Sequence, residues 1–465
     1  MASLSRAPLL ACTMLLIGCA AGPDYVAPTP GAATAGGYLD APPSSDPIAA
    51  PTPTWWRLYK DPVLDQLIAD AFEANTDLRI ATANLRRSRA LLSEGRSARL
   101  PSTMLRAQAT DAQSSPDAAA LAADAEPNAY EAWATINYEV DLVGRLTRGV
   151  QAARADAQAQ EAARDLVRIT VAADVASAYA DVCSLAGQLR AAERAAAVQL
   201  RTSDIAQRRL EAGDASGLEA AQARAELERT RSTTPLLRAE RRIALYRLAV
   251  LTGRSPADYP RAAESCMDSP RLTGPLPVGD AGGLLRRRPD VRQSERKLAA
   301  ATARVGVAIA DLYPRLSFGL SAGVTAEENG DAVTRLQATP LITWTFPNIA
   351  GARARIAQAR AGADVALAEW DAAVLRSLRE VESALVQYNA ERERHASLTV
   401  LRERSAFAAD RARMRREAGE DSPLVQLDAE RRLAEAEALL AQSSRALATD
   451  EVTLFLALGG GWEGN

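Results

Sequence analysis

The sequence predicts a mainly α-helical chain that carries four membrane-spanning β-strands and is built as an internal tandem repeat. Three observations predict this fold class. Of the 465 residues, 48% are hydrophobic and only 5% are aromatic, a composition rich in Ala, Arg, Glu and Leu that favours long helices over a large compact core. Motifs recur at a constant separation along the chain. Several short stretches alternate between apolar and polar residues.

The charge and the scarcity of histidine exclude several classes of function. Lys and Arg number 55 against 58 Asp and Glu, a net charge of -3, so nothing favours nucleic-acid binding. The one histidine, His395, would have to serve any His-ligated metal site or Ser-His-Asp triad, and its Glu- and Arg-rich surroundings predict a solvated helix face. We therefore expect no metal, no cofactor and no enzymatic activity.

The N-terminus predicts an exported lipoprotein. Arg6 precedes an apolar run over residues 7–17 that is too short to span a membrane. The run ends after small residues in Cys19 and looks like the lipobox of bacterial lipoproteins, in which the cysteine is acylated and begins the mature chain. An ordinary signal peptide cleaved a few residues later is the alternative. Acylation would tether Cys19 to a leaflet, and in that class Ala20 implies sorting to the outer membrane.

The chain contains two copies of one unit. Each copy is predicted to form a helix, two strands, a long helix, a turn and a returning helix. The separation between copies is 213 residues through the first strand, as in the pairs Asp77–Asp290 and Pro101–Pro314, and 206 residues from the second strand onward, as in Gly213–Gly419 and Ser216–Ser422.

The strands are predicted from alternation, as between Leu316 and Val324, where every second residue is apolar. At about ten residues each they match tilted strands that span a membrane. A half-buried hairpin of a soluble protein is the alternative, but the flanking helices offer no evident face to cover a sheet. The predicted strands are 102–112, 129–141, 315–325 and 335–346.

The long helices are predicted from the absence of breakers. Residues 148–211 contain no proline, which predicts a helix of about 96 Å, and 352–418 is its twin. Apolar residues spaced alternately by four and three form a narrow coiled-coil seam in both helices. In each turn a glycine fits the left-handed position after a helix and a serine fits the next N-cap: Gly213 and Ser216, then Gly419 and Ser422.

Two cysteines, Cys183 and Cys266, remain once Cys12 leaves with the signal and Cys19 is lipidated, and they lie in an oxidising compartment. Cys183 is about 44 Å from the turn along the long helix, and the returning helix over 217–251 climbs about 52 Å. Cys266 follows soon after the end of the returning helix, so the two thiols can lie at a similar height along the helical hairpin. This favours a disulfide between them. Two separate buried thiols remain the alternative.

Four strands cannot close a barrel, and lipid does not tolerate an open sheet edge. Bacterial barrels of this kind begin at eight strands. The membrane interpretation therefore requires several copies of the chain, and a trimer would supply twelve strands and a ring of helical hairpins.

Five motifs follow one another along the chain: Gly22-Pro23-Asp24-Tyr25, Trp55-Trp56, Asp141-Leu142-x-Gly144-Arg145, Arg288-Pro289-Asp290-Val291 and Asp311-Leu312-Tyr313-Pro314. With these motifs the chain resembles the outer-membrane factor family of tripartite efflux and type I secretion systems, in particular its lipoprotein branch serving resistance-nodulation-division pumps. The resemblance implies a homotrimer in the bacterial outer membrane, whose twelve-stranded β-barrel, four strands per protomer, is continuous with a long periplasmic α-helical barrel. A periplasmic adaptor and an inner-membrane pump are the implied partners.

The resemblance also implies a periplasmic gate. In the family, an Asp and a Leu one turn earlier project into the lumen from the returning helix of the second hairpin. The matching residues are Leu424 and Asp428, which share one face, whereas the first copy has Gln222 in place of Asp428. The alternative is that Asp428 is a solvated residue paired with Arg431 or Arg432.

The turn residues Gly213, Ser216, Gly419 and Ser422 are the expected adaptor contacts. The expected function is a passive efflux duct opened at its periplasmic tip by an adaptor–pump complex. A type I secretion channel shares the fold, and a structural periplasmic coiled-coil lipoprotein explains the helices but not the strands. The predicted organisation is a signal peptide (1–18), a lipidated flexible tether (19–54), a first repeat (55–252), an equatorial connection (253–283), a second repeat (284–458) and a C-terminal tail (459–465).

Overall fold

The computed structural model describes residues 20–29, 37–42, 52–111, 128–272, 276–327 and 331–460. The predicted signal peptide, Cys19 and the last five residues of the predicted tail lie outside the described residues.

The described residues form long helices and four strands in the predicted order. The helices are α1 (Pro62–Ala74), α2 (Thr76–Ser97), α3 (Arg145–Glu211), α4 (Gly217–Arg231), α5 (Thr233–Leu251), α6 (Arg261–Glu264), α7 (Ala281–Arg287), α8 (Pro289–Ala310), α9 (Ala350–Glu417) and α10 (Pro423–Ala457). The strands are β1 (Ser102–Asp111), β2 (Asn128–Val140), β3 (Arg315–Glu327) and β4 (Val333–Thr343). Trp55–Tyr59 and Pro256–Asp258 form short 3-10 helices.

The four strands form one antiparallel sheet in the order β1-β2-β3-β4. Its central pair joins the second strand of the first repeat to the first strand of the second repeat. The observed strand ends differ from the predicted ones by at most three residues. β1 pairs with β2 on one side of this central pair, and β4 pairs with β3 on the other side. β1 and β4 are therefore the two edge strands of the sheet.

The compact units of the structure do not coincide with the two sequence repeats. One unit comprises residues 1–29, 84–161 and 293–372, and the other comprises 30–83, 162–292 and 373–465. Each unit therefore contains parts of both repeats. The reason is that β2 pairs with β3 in the first unit, while helices of both copies pack together in the second.

The second unit has an apolar core built around the predicted seams. Trp55 stacks on Phe455 with ring centroids 4.8 Å apart, and Val175 and Leu385 are fully buried. Among the described helices, only α3 contains a stretch long and apolar enough to cross a membrane, and 78% of that stretch is buried inside the protein. It is therefore a core helix.

The segment predicted as a flexible tether is held against the protein where the structure describes it. Arg148, which is 3% exposed, donates to the carbonyl oxygens of Ala21 at 3.0 Å and Gly22 at 3.2 Å. Further along, the Leu39 N–H donates to Glu382 at 3.0 Å. At these residues the segment is bound to the protein through its backbone. The flexible tether over 19–54 as a whole stays a prediction, since residues 30–36 and 43–51 lie outside the described residues.

The returning helix of the first hairpin is not the single helix expected over 217–251. It breaks at Ser232, between α4 and α5. Pro235 lies in the first turn of α5, where its missing N–H is tolerated, whereas within a continuous helix its ring would clash with the carbonyl group of residue 231. The second hairpin has no such proline, and α10 is continuous.

Candidate functional site

The two hairpin turns end in the backbone geometry that the sequence predicts. Gly213 has φ +82° and Gly419 has φ +77°, and in each case nothing lies within 4 Å of the position that a Cβ would occupy. Ser216 caps α4 by accepting from the Glu219 N–H at 3.2 Å. Ser422 stands at the N-cap of α10 but makes no capping hydrogen bond with its side chain. Both turns thus present small residues with open space around them.

Asp428 lies in the first turns of α10 and pairs with two arginines of its own helix. Its Oδ1 accepts from Arg431 at 2.8 Å and its Oδ2 from Arg432 at 2.9 Å. The hydrogen bond from Arg431, then that from Arg432, holds the pKa of Asp428 below its ordinary value. The carboxylate is therefore ionised at neutral pH, and its side chain is 49% exposed.

Leu424 is 41% exposed and lies one turn before Asp428, so both side chains are available on a surface of α10. A groove of about 560 Å³ lies between α9 and α10 and is lined in part by Asp428. Its charged lining consists of Arg404, Arg411, Arg415, Asp421, Asp428 and Arg432. The structure thus contains the pairing of Asp428 with Arg431 and Arg432 that is the alternative to a gate, and this pairing lies at a solvent-exposed surface.

Ion pairs that the sequence analysis missed connect the two hairpins. Glu430 accepts from Arg201 of α3 at 2.6 Å, and Asp181 of α3 accepts from Arg445 of α10 at 2.8 Å. Each pair joins residues more than 200 positions apart, so local patterns carry no signal for them. The pairs hold α10 to α3 on either side of its midpoint.

Cys183 and Cys266 form a disulfide in the structure. Their sulfur atoms are 2.04 Å apart and their Cα atoms 4.9 Å apart, across 83 residues of chain. Cys183 is fully buried in α3. Arg190 donates to the Met267 carbonyl oxygen at 2.7 Å beside it. The bridge and this hydrogen bond attach the segment after α6 to the long helix.

We expect the double substitution Cys183→Ser/Cys266→Ser to lower the stability of the second unit. A bridge across 83 residues contributes about 2–4 kcal/mol by restricting the unfolded chain. The measurement is the midpoint of thermal unfolding, compared with and without reductant. Wild type should lose stability on reduction and the double variant should not respond, so an equal response of the two proteins would contradict the prediction.

A buried acidic cluster in the second unit was also missed from the sequence. Glu451 is 7% exposed, and its Oε2 accepts from the Tyr59 hydroxyl at 3.0 Å. Burial raises the pKa of Glu451 to about 7, against the Tyr59 hydrogen bond and the charge of Arg271, which lower it. Burial also raises the pKa of the adjacent Asp450. The sequence does carry a signal for this burial, because Asp450 and Glu451 stand at the start of an apolar run.

The same region corrects the expectation for His395. Its Nδ1 is buried and has no hydrogen-bond partner among the described residues, so the side chain is not on a fully solvated face. Burial, followed by the charge of Arg271, lowers the pKa of His395. Within the described part of the chain, no group of three or more His, Cys, Asp and Glu residues is arranged to hold a metal ion.

Glu451 should make stability fall as the pH rises. Its folded-state pKa of about 7 lies above the ordinary value of 4.5, so the folded state binds more protons between these values and unfolding becomes easier as the pH increases through them. We expect Glu451→Gln to remove this decline and to be the more stable protein at pH 8, by up to about 3 kcal/mol. Thermal midpoints of both proteins between pH 4.5 and 8 test this, and parallel curves would contradict it.

The sheet has one apolar and one polar face. On β3 the apolar face carries Leu316, Phe318, Leu320, Ala322 and Val324, and the polar face carries Ser317, Gly319, Ser321, Gly323 and Thr325. Paired residues point to the same side of a sheet, so the registers extend both faces over all four strands. The apolar face is the more exposed: Leu320 is 46% and Leu336 is 76% exposed.

The sequence was compared with models of known protein families, and one of them matches both repeats. The family model for the outer membrane efflux protein matches residues 67–254 and 282–460. Each matched segment covers most of one sequence repeat.

The chain belongs to the outer membrane efflux protein family.

Individual relatives match over almost their full length. The antibiotic efflux pump outer membrane protein ArpC of Pseudomonas putida is 28% identical, over 96% of this chain and 94% of its own. The solvent efflux pump outer membrane protein SrpC of Pseudomonas putida is 29% identical, over 97% of both chains. Among solved structures, the outer-membrane channel OprN is 33% identical, with a TM-score of 0.82 over 96% of this chain and 100% of its own.

This protein is an outer-membrane channel for efflux. It is located in the outer membrane and extends into the periplasm. The resemblance derived from the sequence motifs and the predicted fold class are thereby confirmed, and so is the channel function. The gate, the adaptor contacts and the lipidation of Cys19 stay predictions.

Proposed function

We propose that three copies of this efflux protein form a passive exit duct for small molecules, without enzymatic activity, that runs from the periplasm to the exterior. The observation that carries the proposal is the sheet with two open edges. Unpaired backbone groups are not tolerated in lipid, and the exposed face of the sheet is apolar. Pairing β1 of one copy with β4 of the next satisfies both edges, and three copies give a twelve-stranded barrel.

An unpartnered helix face supports assembly with further copies. Three apolar side chains of α5 recur at seven-residue spacing: Leu236, Ile243 and Val250 are 67%, 64% and 56% exposed. A heptad stripe of this kind is typical of a helix that packs against another helix. In the proposed trimer this stripe faces a neighbouring protomer.

We propose that Cys19 is lipidated and anchors the N-terminus in the outer membrane. The residues directly after it support this position. The Ala21 N–H donates to the Val143 carbonyl oxygen at 2.8 Å, just beyond the end of β2, and Arg148 binds the following carbonyl groups. An acyl chain on Cys19 would thus lie near the end of a strand that crosses the membrane.

The proposed partners are a periplasmic adaptor, which contacts the turns at Gly213, Ser216, Gly419 and Ser422, and an inner-membrane pump bound to that adaptor. Positive φ at both glycines and the open space around them support a docking role, because a partner's helices can approach the backbone closely there. Leu424 and Asp428 are proposed to form the gate, as rings around the threefold axis.

The exported compounds are proposed to be small molecules, because ArpC is named as an antibiotic efflux protein and SrpC as a solvent efflux protein. Deleting the gene and measuring growth inhibition by antibiotics and by organic solvents tests this. Efflux predicts increased sensitivity that the wild-type gene restores. Loss of a secreted protein without any change in sensitivity would instead favour a type I secretion channel.

We expect Gly419→Asn to weaken contact with the adaptor while the trimer still assembles. Asn accepts the left-handed conformation at small cost and adds a side chain to an open surface. The matched control is Gly362→Asn, because Gly362 also has nothing within 4 Å of an added Cβ but lies within α9. Site-specific cross-linking to the adaptor should fall for Gly419→Asn alone, and equal yields for both variants would contradict a contact at this turn.

A further inference from the structure

The polar face of the sheet carries an arginine at both edges of one cross-strand row. Arg106 of β1 pairs with Trp133 of β2, Trp133 pairs with Gly323 of β3, and Gly323 pairs with Arg335 of β4. All four residues therefore lie side by side on the polar face. We call these four residues the arginine row. With neighbouring strands about 4.8 Å apart, the two arginine backbones are separated by about 14 Å.

Trp133 lies directly on Gly323. A Cβ at Gly323 would be 2.4 Å from Cδ2 and Cε3 of the indole ring, so only glycine allows this contact. One side of the ring is thus covered by the sheet, and the side chain remains partly exposed. An aromatic surface is in this way fixed between two cationic side chains.

Among the described residues, the two arginines have no acidic partner. Arg106 donates to Gln108 at 2.6 Å, and across the described residues neither Arg106 nor Arg335 forms an ion pair. By contrast, Arg315 on the same face pairs with Asp311 at 2.5 Å, and Glu139 pairs with Arg145 at 2.7 Å. Glu131 lies in the adjacent row, opposite Gln108 and Thr325. It offsets part of the positive charge but does not belong to the arginine row.

We propose that the arginine row forms a binding belt for aromatic organic anions, such as carboxylates and sulfonates, inside the barrel. This inference rests on the proposed trimer, in which the polar face lines the lumen and β1 of each copy adjoins β4 of the next. Six guanidinium groups and three indole rings then line one zone of the channel. The guanidinium groups bind the acidic group of the ligand, and Trp133 offers a face for its ring.

The scale of a twelve-stranded barrel makes the belt effective. At a strand tilt of about 40° its backbone radius is roughly 12 Å, and the arginine side chains extend inward from there. The channel axis therefore lies within about one Debye length of the charges, ~8 Å at 0.15 M salt. A lumen lined by one sign of charge concentrates the opposite ion, so the belt favours anions over cations.

The first test measures ion selectivity in planar bilayers under a KCl gradient. The reference protein is Asp428→Ala, so that carboxylates at the tip do not determine the selectivity, and it is compared with the same protein carrying Arg106→Gln/Arg335→Gln in addition. We expect the chloride-to-potassium permeability ratio to fall by about threefold or more. Arg106→Lys/Arg335→Lys keeps the charge and should retain the ratio, and Glu131→Gln should increase it.

The second test measures block of the current by naphthalene-1-sulfonate against neutral naphthalene-1-sulfonamide. The sulfonate should block, the sulfonamide should not, and Trp133→Ala should weaken block by about three- to tenfold without moving the permeability ratio. Heat-modifiable migration confirms that each variant is an assembled trimer. An unchanged ratio in Arg106→Gln/Arg335→Gln, or equal block by both compounds, would overturn the belt. If wild type formed no channel at all, the proposed function itself would fail.

Discussion

Replacing Asp428 with alanine is expected to raise the single-channel conductance by a factor of about two or more, because conduction is limited by the narrowest ring of side chains in a pore. In the proposed trimer, three copies of Asp428, each bound to Arg431 and Arg432, form that ring next to a ring of Leu424. Alanine removes the carboxylate and releases both arginines from it. Leu424→Ala/Asp428→Ala should conduct better than either single variant in planar bilayers.

The matched control for the gate is Gln222→Ala. Gln222 occupies the equivalent position in the first copy of the repeat and is exposed on α4, so its substitution should leave conductance unchanged. If Asp428→Ala conducted like wild type, Asp428 would have only the role of a solvated residue paired within its own helix.

Replacing Leu336 with arginine is expected to prevent assembly of the channel in the outer membrane. Leu336 lies on the apolar face of β4, opposite Ala322, and is 76% exposed. An arginine on the lipid-facing side of a barrel costs about 2–4 kcal/mol at the bilayer midplane, and a trimer contains three of them. The measurement is the yield of heat-modifiable trimer in outer-membrane fractions.

The control is the neighbouring substitution Gln337→Arg. Gln337 pairs with Ser321 on the polar face, so its side chain would point into the aqueous lumen and assembly should continue. Loss of trimer in both variants would contradict the assignment of the faces, and normal trimer in both would contradict the membrane position of the sheet.

Local rules account for the parts of the candidate site that the sequence predicted. The turn at Gly213 needs only a residue that adopts positive φ, and Ser216 needs only the N–H of Glu219 three residues later. The strands follow from alternation along one segment. Pro235 was an overlooked local signal, since it predicts the break between α4 and α5.

Other features have no local signal because their partners are far apart in the chain. The raised pKa of Glu451 arises from burial beside Tyr59, which lies 392 residues away. Arg148 holds Ala21 and Gly22 across about 126 residues. A Pro- and Ala-rich segment predicts a loose tether whenever the residues that bind its carbonyl groups are unknown.

The sequence by itself determined the tandem repeat, the strand and helix types, the turn chemistry and the family, because each is encoded in spacing along a single segment. Only the tertiary structure decided which strands adjoin, since β2 pairs with β3 across the two repeats. That register aligns Arg106, Trp133, Gly323 and Arg335. Cross-strand neighbours and buried charges depend on hydrogen bonding and packing between distant segments, and no periodicity within one segment specifies them.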